Sequence, residues 1–185
     1  MSDTVPPTLL TPRLELRAFR PDDLDALAAI YADPEVTRYI RGGVTEGPRT
    51  REQTAASMEA YANEWAQHGY GVWAVIDRSN SQLLGVCGFV DRAEIGYIFG
   101  RATWGQGIAT EAARACLWYG FERLGCEEIG AGAKRENVAS LRVLKKLGMR
   151  RAANDYFDLN GGAYYHLVRD DYTPSEDISI TQADE

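Results

Sequence analysis

The sequence predicts a single domain of the mixed α/β class, an α+β arrangement in which a mostly antiparallel sheet is flanked by helices. Three observations predict it. Segments of period-two alternation are interleaved with segments of helical period in the order strand, helix, helix, three strands, helix, strand, helix, hairpin. That order describes a mixed sheet, and no internal repeat is present. A length of 185 residues with 45% hydrophobic composition suits one buried core.

Arg13-Leu-Glu-Leu-Arg-Ala-Phe19 alternates as a half-buried strand does. Pro21-Asp22-Asp23 then opens a helix with Leu24, Leu27, Ala28 and Tyr31 on one face, closing before Asp33-Pro34. A second helix is predicted from about Arg49 to Gln67, striped by Met58, Tyr61, Ala62 and Trp65 and stopped by Gly69. Three strands follow, Gly71 to Asp77, Leu83 to Val90 and Glu94 to Phe99, with turns at Ser79-Asn80-Ser81 and Asp91-Arg92, and these predict an antiparallel meander. The helix after Gly107 buries Ile108, Ala112, Ala115 and Tyr119, and a strand over Glu127 to Ala133 comes next. Asn137 to Leu147 reads as a helix ended by Gly148. Arg150 to Leu159 and Ala163 to Arg169 read as a hairpin around Asn160-Gly161-Gly162. Residues 1–10 are expected to be flexible, residues 11–172 to form the domain, and the polar, acidic stretch over residues 173–185 to be a disordered tail.

Composition excludes several function classes. A formal net charge of −7 argues against general nucleic-acid binding, which draws most of its affinity from a basic surface, and suits a cationic substrate better. Cys87, Cys116 and Cys126 are odd in number, sit in apolar patterns and form no C-x-x-C pair, so buried free thiols are expected rather than disulfides. His68 and His166 are the only histidines and lie far apart in sequence, so no metal site is expected. No stretch approaches a membrane span and the first residues lack the pattern of a secretion signal, which predicts a cytoplasmic protein with no membrane partner. Monomer and homodimer both remain open.

The most informative segment is Trp104-Gly-Gln-Gly-Ile-Ala-Thr-Glu-Ala112, where two glycines one residue apart join an apolar strand to a long helix. Glycines let main-chain N–H groups converge, and a helix start adds unpaired donors and the positive end of the macrodipole. Such a junction suits a phosphate. It is not a P-loop, because Ile108-Ala109 follows Gly107 where Lys and Ser or Thr are required, and it is not a dinucleotide fingerprint, because Thr110 fills the third glycine position. A tight turn without a ligand is the competing reading. Lys134-Arg135 and the run Arg142, Lys145, Lys146, Arg150, Arg151 follow this junction and read either as a solvated face or as a patch greeting an anion.

Taken in order, Glu94-Ile-Gly-Tyr97, the glycine junction and Asn137-x-x-Ser140 make the chain resemble the GCN5-related N-acetyltransferases, and more narrowly their ribosomal-protein-type branch, from Thr11 to about Tyr172. The resemblance implies acetyl-CoA as cosubstrate and a sheet splayed at the cofactor slot. The pyrophosphate would be held by main-chain N–H groups of Gly105, Gln106, Gly107, Ile108, Ala109 and Thr110. Unpaired backbone at Ile98, Phe99 and Gly100 would pair with the pantetheine amides like an added strand. Asn137 joins the cofactor contacts, and adenine is placed near Arg142 or Lys145. Trp104 departs from the family pattern, which begins this loop with Gln or Arg. Micromolar binding needs about 8 kcal/mol, whereas a helix terminus offers about 0.3–1 kcal/mol per exposed charge, so the pantetheine slot must carry much of the affinity.

The resemblance also implies direct acetyl transfer to a primary amine. Glu94 is the candidate base, acting through a water, with an exposed strand carboxylate as the competing reading. On its strand Glu94, Gly96 and Ile98 share one face and Ile95, Tyr97 and Phe99 the other, so Tyr97 is read as packing. Many relatives protonate the thiolate with a tyrosine seven residues after the Asn. Here that position is Leu144, and Ser140 is the substitute that the branch suggests, against a hydroxyl that only caps or packs. Asn137 is equally readable as a plain N-cap. Trp65, Trp73 and Tyr61 border either an acceptor pocket or the core, and Glu59, Glu64 and Asp91 are carboxylates that an amine could approach. An α-amine with pKa near 7.8 costs about 1 kcal/mol to deprotonate at pH 7, and a lysine at about 10.4 costs about 4.6 kcal/mol. A protein or peptide N-terminal amine is therefore the expected acceptor, with a small-molecule amine (antibiotic, polyamine or amino acid) or a non-catalytic acyl-CoA sensor as alternatives.

Overall fold

Successive apolar runs separated by short polar turns pair most readily with their neighbours. The computed structural model describes residues 5–40 and 47–181, and in it β3 (Val72–Asp77), β4 (Leu83–Asp91) and β5 (Glu94–Phe99) form the expected antiparallel meander. Residues Val72 to Ile76 of β3 are buried on both faces, the signature of a central strand. Around this centre lie β1 (Thr8–Leu10), β2 (Leu14–Arg17), β6 (Glu128–Lys134), β7 (Arg150–Ala152), β8 (Gly162–Val168) and β9 (Ser179–Thr181). All belong to one sheet in the order β7-β8-β6-β5-β4-β3-β2-β1-β9. Its pairings are antiparallel except between β5 and β6, which are parallel.

The helices are α1 (Leu24–Tyr31), α2 (Pro34–Thr37), α3 (Arg51–His68), α4 (Ile108–Glu122), α5 (Val138–Lys146) and α6 (Asp155–Leu159). On one face of the sheet Leu27 and Tyr31 of α1, with Met58 and Tyr61 of α3, cover Val72, Val86 and Ile98. On the other, α4 buries Ile108, Ala112, Ala115 and Cys116 against a core that includes Cys87, Ile95 and Phe99. The thiols of Cys87, Cys116 and Cys126 are free and buried, as expected. The boundaries of α3 follow from its ends. Thr50 accepts from the Gln53 N–H while the Gln53 side chain accepts from the Thr50 N–H, and Gly69 at φ +71° ends the helix.

Four expectations are corrected. The first strand is shorter than Arg13 to Phe19, because Arg17 turns inward to donate to both oxygens of Asp23, at 2.7 and 2.9 Å. Burial opposes ionisation of Asp23, yet these bonds and the Arg20 N–H hold its carboxyl below its ordinary value. In α3, Ala62 is exposed and the stripe continues through Thr54 instead. The stretch from Arg150 to Leu159 is not one strand: β7 pairs with β8, but Asn154 caps the Phe157 N–H and winds residues 155–159 into α6. Within the two stretches expected to be flexible, β1 lies in the sheet and β9 pairs along its edge, Leu9 opposite Ile180, while residues 1–4 and 182–185 lie outside the described residues.

That last pairing has a measurable consequence. Ile178 and Ile180 pack against the main core and Tyr172 stacks on Phe121 at 4.5 Å. Ending the chain after Tyr172 removes both partly buried isoleucines, about 2 kcal/mol of apolar burial, and is expected to lower the melting temperature by about 4–8 °C in a calorimetric scan.

Candidate active site

A cofactor slot is first a matter of backbone geometry. β5 and β6 share a single register pair, Glu94 opposite Gly130, anchored by the Gly130 N–H donating to the Ala93 carbonyl at 2.7 Å. Beyond it the two strands separate toward their C-terminal ends. Along an antiparallel pair, backbone groups point alternately toward and away from the neighbour. The Gly100 N–H donates to Leu84 O at 3.0 Å, which directs Ile98 and Gly100 to β4 and leaves the groups of Tyr97 and Phe99 facing the gap. The proposed edge of Ile98, Phe99 and Gly100 is thereby narrowed: of the three, only Phe99 faces the slot. Its carbonyl accepts from the Trp104 indole N–H at 2.9 Å, so the residue that departs from the family pattern ties the loop to the strand.

The loop at the end of β5 has the conformation its glycines allow. Gly105 and Gly107 lie at φ +77° and +80°, and Gly107 caps α4 without any side-chain hydrogen bond to the first turn. Ile108 buries its side chain and Thr110 is buried beside it, while Gly105, Gln106 and Gly107 are exposed. The Gln106 N–H is occupied by the Thr103 carbonyl at 3.4 Å, and its own carbonyl accepts from Arg13 at 3.0 Å. Among the described residues the Gly105 and Gly107 N–H groups make no such bond, so with those of the first turn, Ile108, Ala109 and Thr110, they are the donors left to a ligand.

Arg13 and Glu111 hold this loop from behind. The Arg13 guanidinium meets Glu111 at 2.6 Å, and Glu111 also accepts from the Thr11 hydroxyl and the Arg13 N–H, at 2.6 and 3.0 Å. Burial works against the charge on Glu111, but these bonds keep its carboxyl below the usual range. Beside Gly107 and Thr110 opens a cavity of about 410 Å³ walled by Arg13, Arg114, Lys146 and Asp177. The cations next to the glycines are therefore Arg13, Arg114 and Lys146, whereas Arg142 and Lys145 do not line it. In the rest of the basic run, Arg135 and Arg151 pair with Asp158 and Arg150 with Asp171.

Asn137 caps α5, its side-chain oxygen accepting from the Ser140 N–H at 3.1 Å. The Ser140 hydroxyl lies 2.8 Å from that of Tyr97. Burial raises the Tyr97 phenol far above its ordinary pKa, against the lowering effect of the Ser140 hydrogen bond, so it stays neutral. Sequence reasoning missed this pair because Tyr97 shares the inward face of β5 with Ile95 and Phe99. Only the placement of α5 reveals what that face meets. Leu144, where relatives carry a tyrosine, is buried in the core.

Glu94 lies on the opposite face of the sheet from Tyr97 and is half-buried. Burial, and next the charge of Asp91, raise its carboxyl above the ordinary value. Trp65 and Trp73 pack together in the core, ring centroids 4.6 Å apart, and do not border a pocket. Tyr61 hydrogen-bonds Tyr31 and stacks on Phe19. Glu59 is exposed, and Glu64 is half-buried on α3. Among the described residues no three His, Cys, Asp or Glu side chains cluster as metal ligands, and no helix is long and apolar enough to cross a membrane.

A parallel pair that parts beside an uncapped glycine turn is a cradle for a long thioester with a diphosphate, and comparison with known proteins agrees. The acetyltransferase (GNAT) domain family matches residues 13–150. The chain belongs to the GNAT acetyltransferases. The uncharacterized N-acetyltransferase p20 of Bacillus licheniformis is 36% identical over 151 residues, covering 78% of this chain and 83% of that protein. Among solved structures, a GNAT-family acetyltransferase from Bacillus anthracis superposes with TM-score 0.75 at 27% identity, over 88% of this chain and 99% of that one. A putative ribosomal-protein-serine acetyltransferase from Vibrio cholerae shares the fold, with TM-score 0.71 at 20% identity over 87% and 97% of the two chains. Membership makes this protein an acyltransferase, and the GNAT family draws its acetyl group from acetyl-CoA.

A methyl group at Gly107 would meet only Arg13 Nη2, at 3.6 Å, so Gly107→Ala tests backbone conformation without a clash. A left-handed φ costs an L-residue about 1–2 kcal/mol, and acetyl-CoA is expected to bind about 5-fold to 30-fold more weakly by titration calorimetry.

Proposed function

We propose that this GNAT enzyme transfers acetyl from acetyl-CoA directly to a primary amine, most naturally the α-amine of a protein or peptide N-terminus, with Glu94 as base and Ser140 as hydrogen-bond donor to the departing sulfur. One observation carries the assignment: Glu94 and Ser140 lie on opposite faces of the sheet, on either side of the gap where β5 and β6 part. A thioester entering that gap brings the acetyl group to be transferred.

On one side the N–H groups of Gly105, Gly107, Ile108, Ala109 and Thr110 would hold the diphosphate, with Arg114 and Lys146 supplying positive charge nearby and Arg13 spent on Glu111 and the Gln106 carbonyl. Arg142 and Lys145 remain exposed cations of α5 in reach of more distal parts of the cofactor. Asn137 acts on the site by capping α5, which fixes Ser140. When Tyr97 donates to Ser140 Oγ, the Ser140 proton is free to point into the gap. On the other side Glu94, charged once the solution pH exceeds its raised pKa, takes a proton from the incoming ammonium through a water. The α-amine preference follows from the smaller cost of deprotonation.

Incubation with acetyl-CoA and a panel of α-amino peptides, polyamines and aminoglycosides, followed by thiol release, tests the assignment. Release with the peptides is the expected result. Binding of acetyl-CoA without release on any amine would instead indicate a sensor. Glu94→Gln is expected to lower kcat about 100-fold to 10,000-fold. In the wild type a group with raised pKa that must be deprotonated loses activity as pH falls through that value. The acid limb of the kcat profile is therefore expected above the usual carboxylate range, and it should disappear in E94Q.

A further inference from the structure

Around Glu94, the acceptor side of the gap is built by residues that none of the family motifs contains. The pleat places Glu94, its register partner Gly130, then Gly132 and its partner Tyr164 on one face. A Cβ at Gly130 would overlap the Tyr164 hydroxyl and ring, and a Cβ at Gly132 would overlap the Phe157 ring. β6 is thus bare at two successive positions of that face so that two aromatic rings can lie on its backbone. Phe157 of α6 holds Tyr164 from behind, with ring centroids 5.4 Å apart and planes at 31°.

The consequence is the position of one hydroxyl. Tyr164 reaches along β6 from Gly132 to Gly130 and sets its Oη one strand away from Glu94, about 4.8 Å between adjacent strands. Among the described residues this hydroxyl has no hydrogen-bond partner. Burial, then the charges of Glu94, Glu128 and Asp91, keep its phenol neutral and able both to donate and to accept. Across Glu94, Val90 leans over Gly96 and is 56% exposed, giving the same spot an apolar wall.

We propose that Tyr164 is the acceptor-positioning residue: its hydroxyl, laid over Gly130, and the Glu94 carboxylate form a two-point seat for the primary amine of the substrate. The proposal rests on the reading of Glu94 as the base. The seat takes two N–H bonds of the ammonium, one directly on the Tyr164 hydroxyl and one on the water that Glu94 holds, and turns the nitrogen toward the gap. It suits an amine carried beside hydrocarbon, such as the first residue of a peptide, better than an amine ringed by hydroxyls.

Steady-state kinetics on peptides beginning with Ala, Ser and Met, for the wild type, Tyr164→Phe and Gly130→Ala, test it. Y164F keeps the ring and removes one hydrogen bond to a charged group, so the acceptor KM is expected to rise about tenfold or more while the acetyl-CoA KM stays within about twofold. Gly130→Ala keeps the hydroxyl but displaces it, with the same signature expected. An acceptor KM unchanged in Y164F, a change confined to kcat, or a rise in the acetyl-CoA KM instead would overturn the seat while leaving the enzyme's assignment intact. Turnover of no amine by a wild type that still binds acetyl-CoA would overturn both.

Discussion

The parting of β5 from β6 after one shared register pair is the constraint on which the rest of the molecule depends. A sheet is normally a barrier, since each strand satisfies the hydrogen bonds of its neighbours and side chains on one face never meet those on the other. Here the β5–β6 ladder stops at the Glu94–Gly130 pair, with Glu94 on one face and the hydrogen-bonded Tyr97 and Ser140 on the other. Chemistry that needs a base and a hydrogen-bond donor on opposite sides of one carbon can be served by such an opening. A continuous ladder would forbid it.

Keeping strands apart requires support around the gap. Trp104 spends its indole N–H on the Phe99 carbonyl, and Tyr97 spans to the first turn of α5. At the mouth, Arg13 and Glu111 tie the loop between β1 and β2 to the start of α4, so the glycine turn is braced by a part of the chain nearly a hundred residues earlier. The C-terminal segment completes the same wall, since Asp177 and Ile178 line the cavity beside Gly107 before the chain enters β9. Exposed ion pairs add little to stability. Their use here is to fix a backbone whose two glycines would otherwise leave it loose.

How legible each part was from the sequence depended on how local its cause is. The meander from Val72 to Phe99 is announced by alternation and polar turns, and α3 by a capping box and a terminal glycine, all of which act within a few residues. The glycine turn was legible for the same reason. Residues 150–159 misled because Asn154 caps a turn that apolar alternation cannot reveal, and the polar tail misled because its two isoleucines are only useful where β1 offers an edge. In the site, Glu94, Asn137 and Ser140 were found through motifs. Lys146 was marked as part of the basic run and Tyr97 as packing, while Arg13, Arg114 and Tyr164 were not marked as site residues at all, because each owes its place to a partner far along the chain.

By itself the sequence determined the class of fold, the phosphate-suited turn and the resemblance to an acetyltransferase, because these are written in short-range spacing: period, caps, and glycines at a strand-to-helix junction. Tertiary structure alone decided which backbone groups face the gap, which cations stand beside the glycines, and which aromatic hydroxyls lie near Ser140 and Glu94. Those are questions of register and packing between distant segments. A shift of one residue in register exchanges the two faces of a strand, and no local pattern in the chain records which face is met by what.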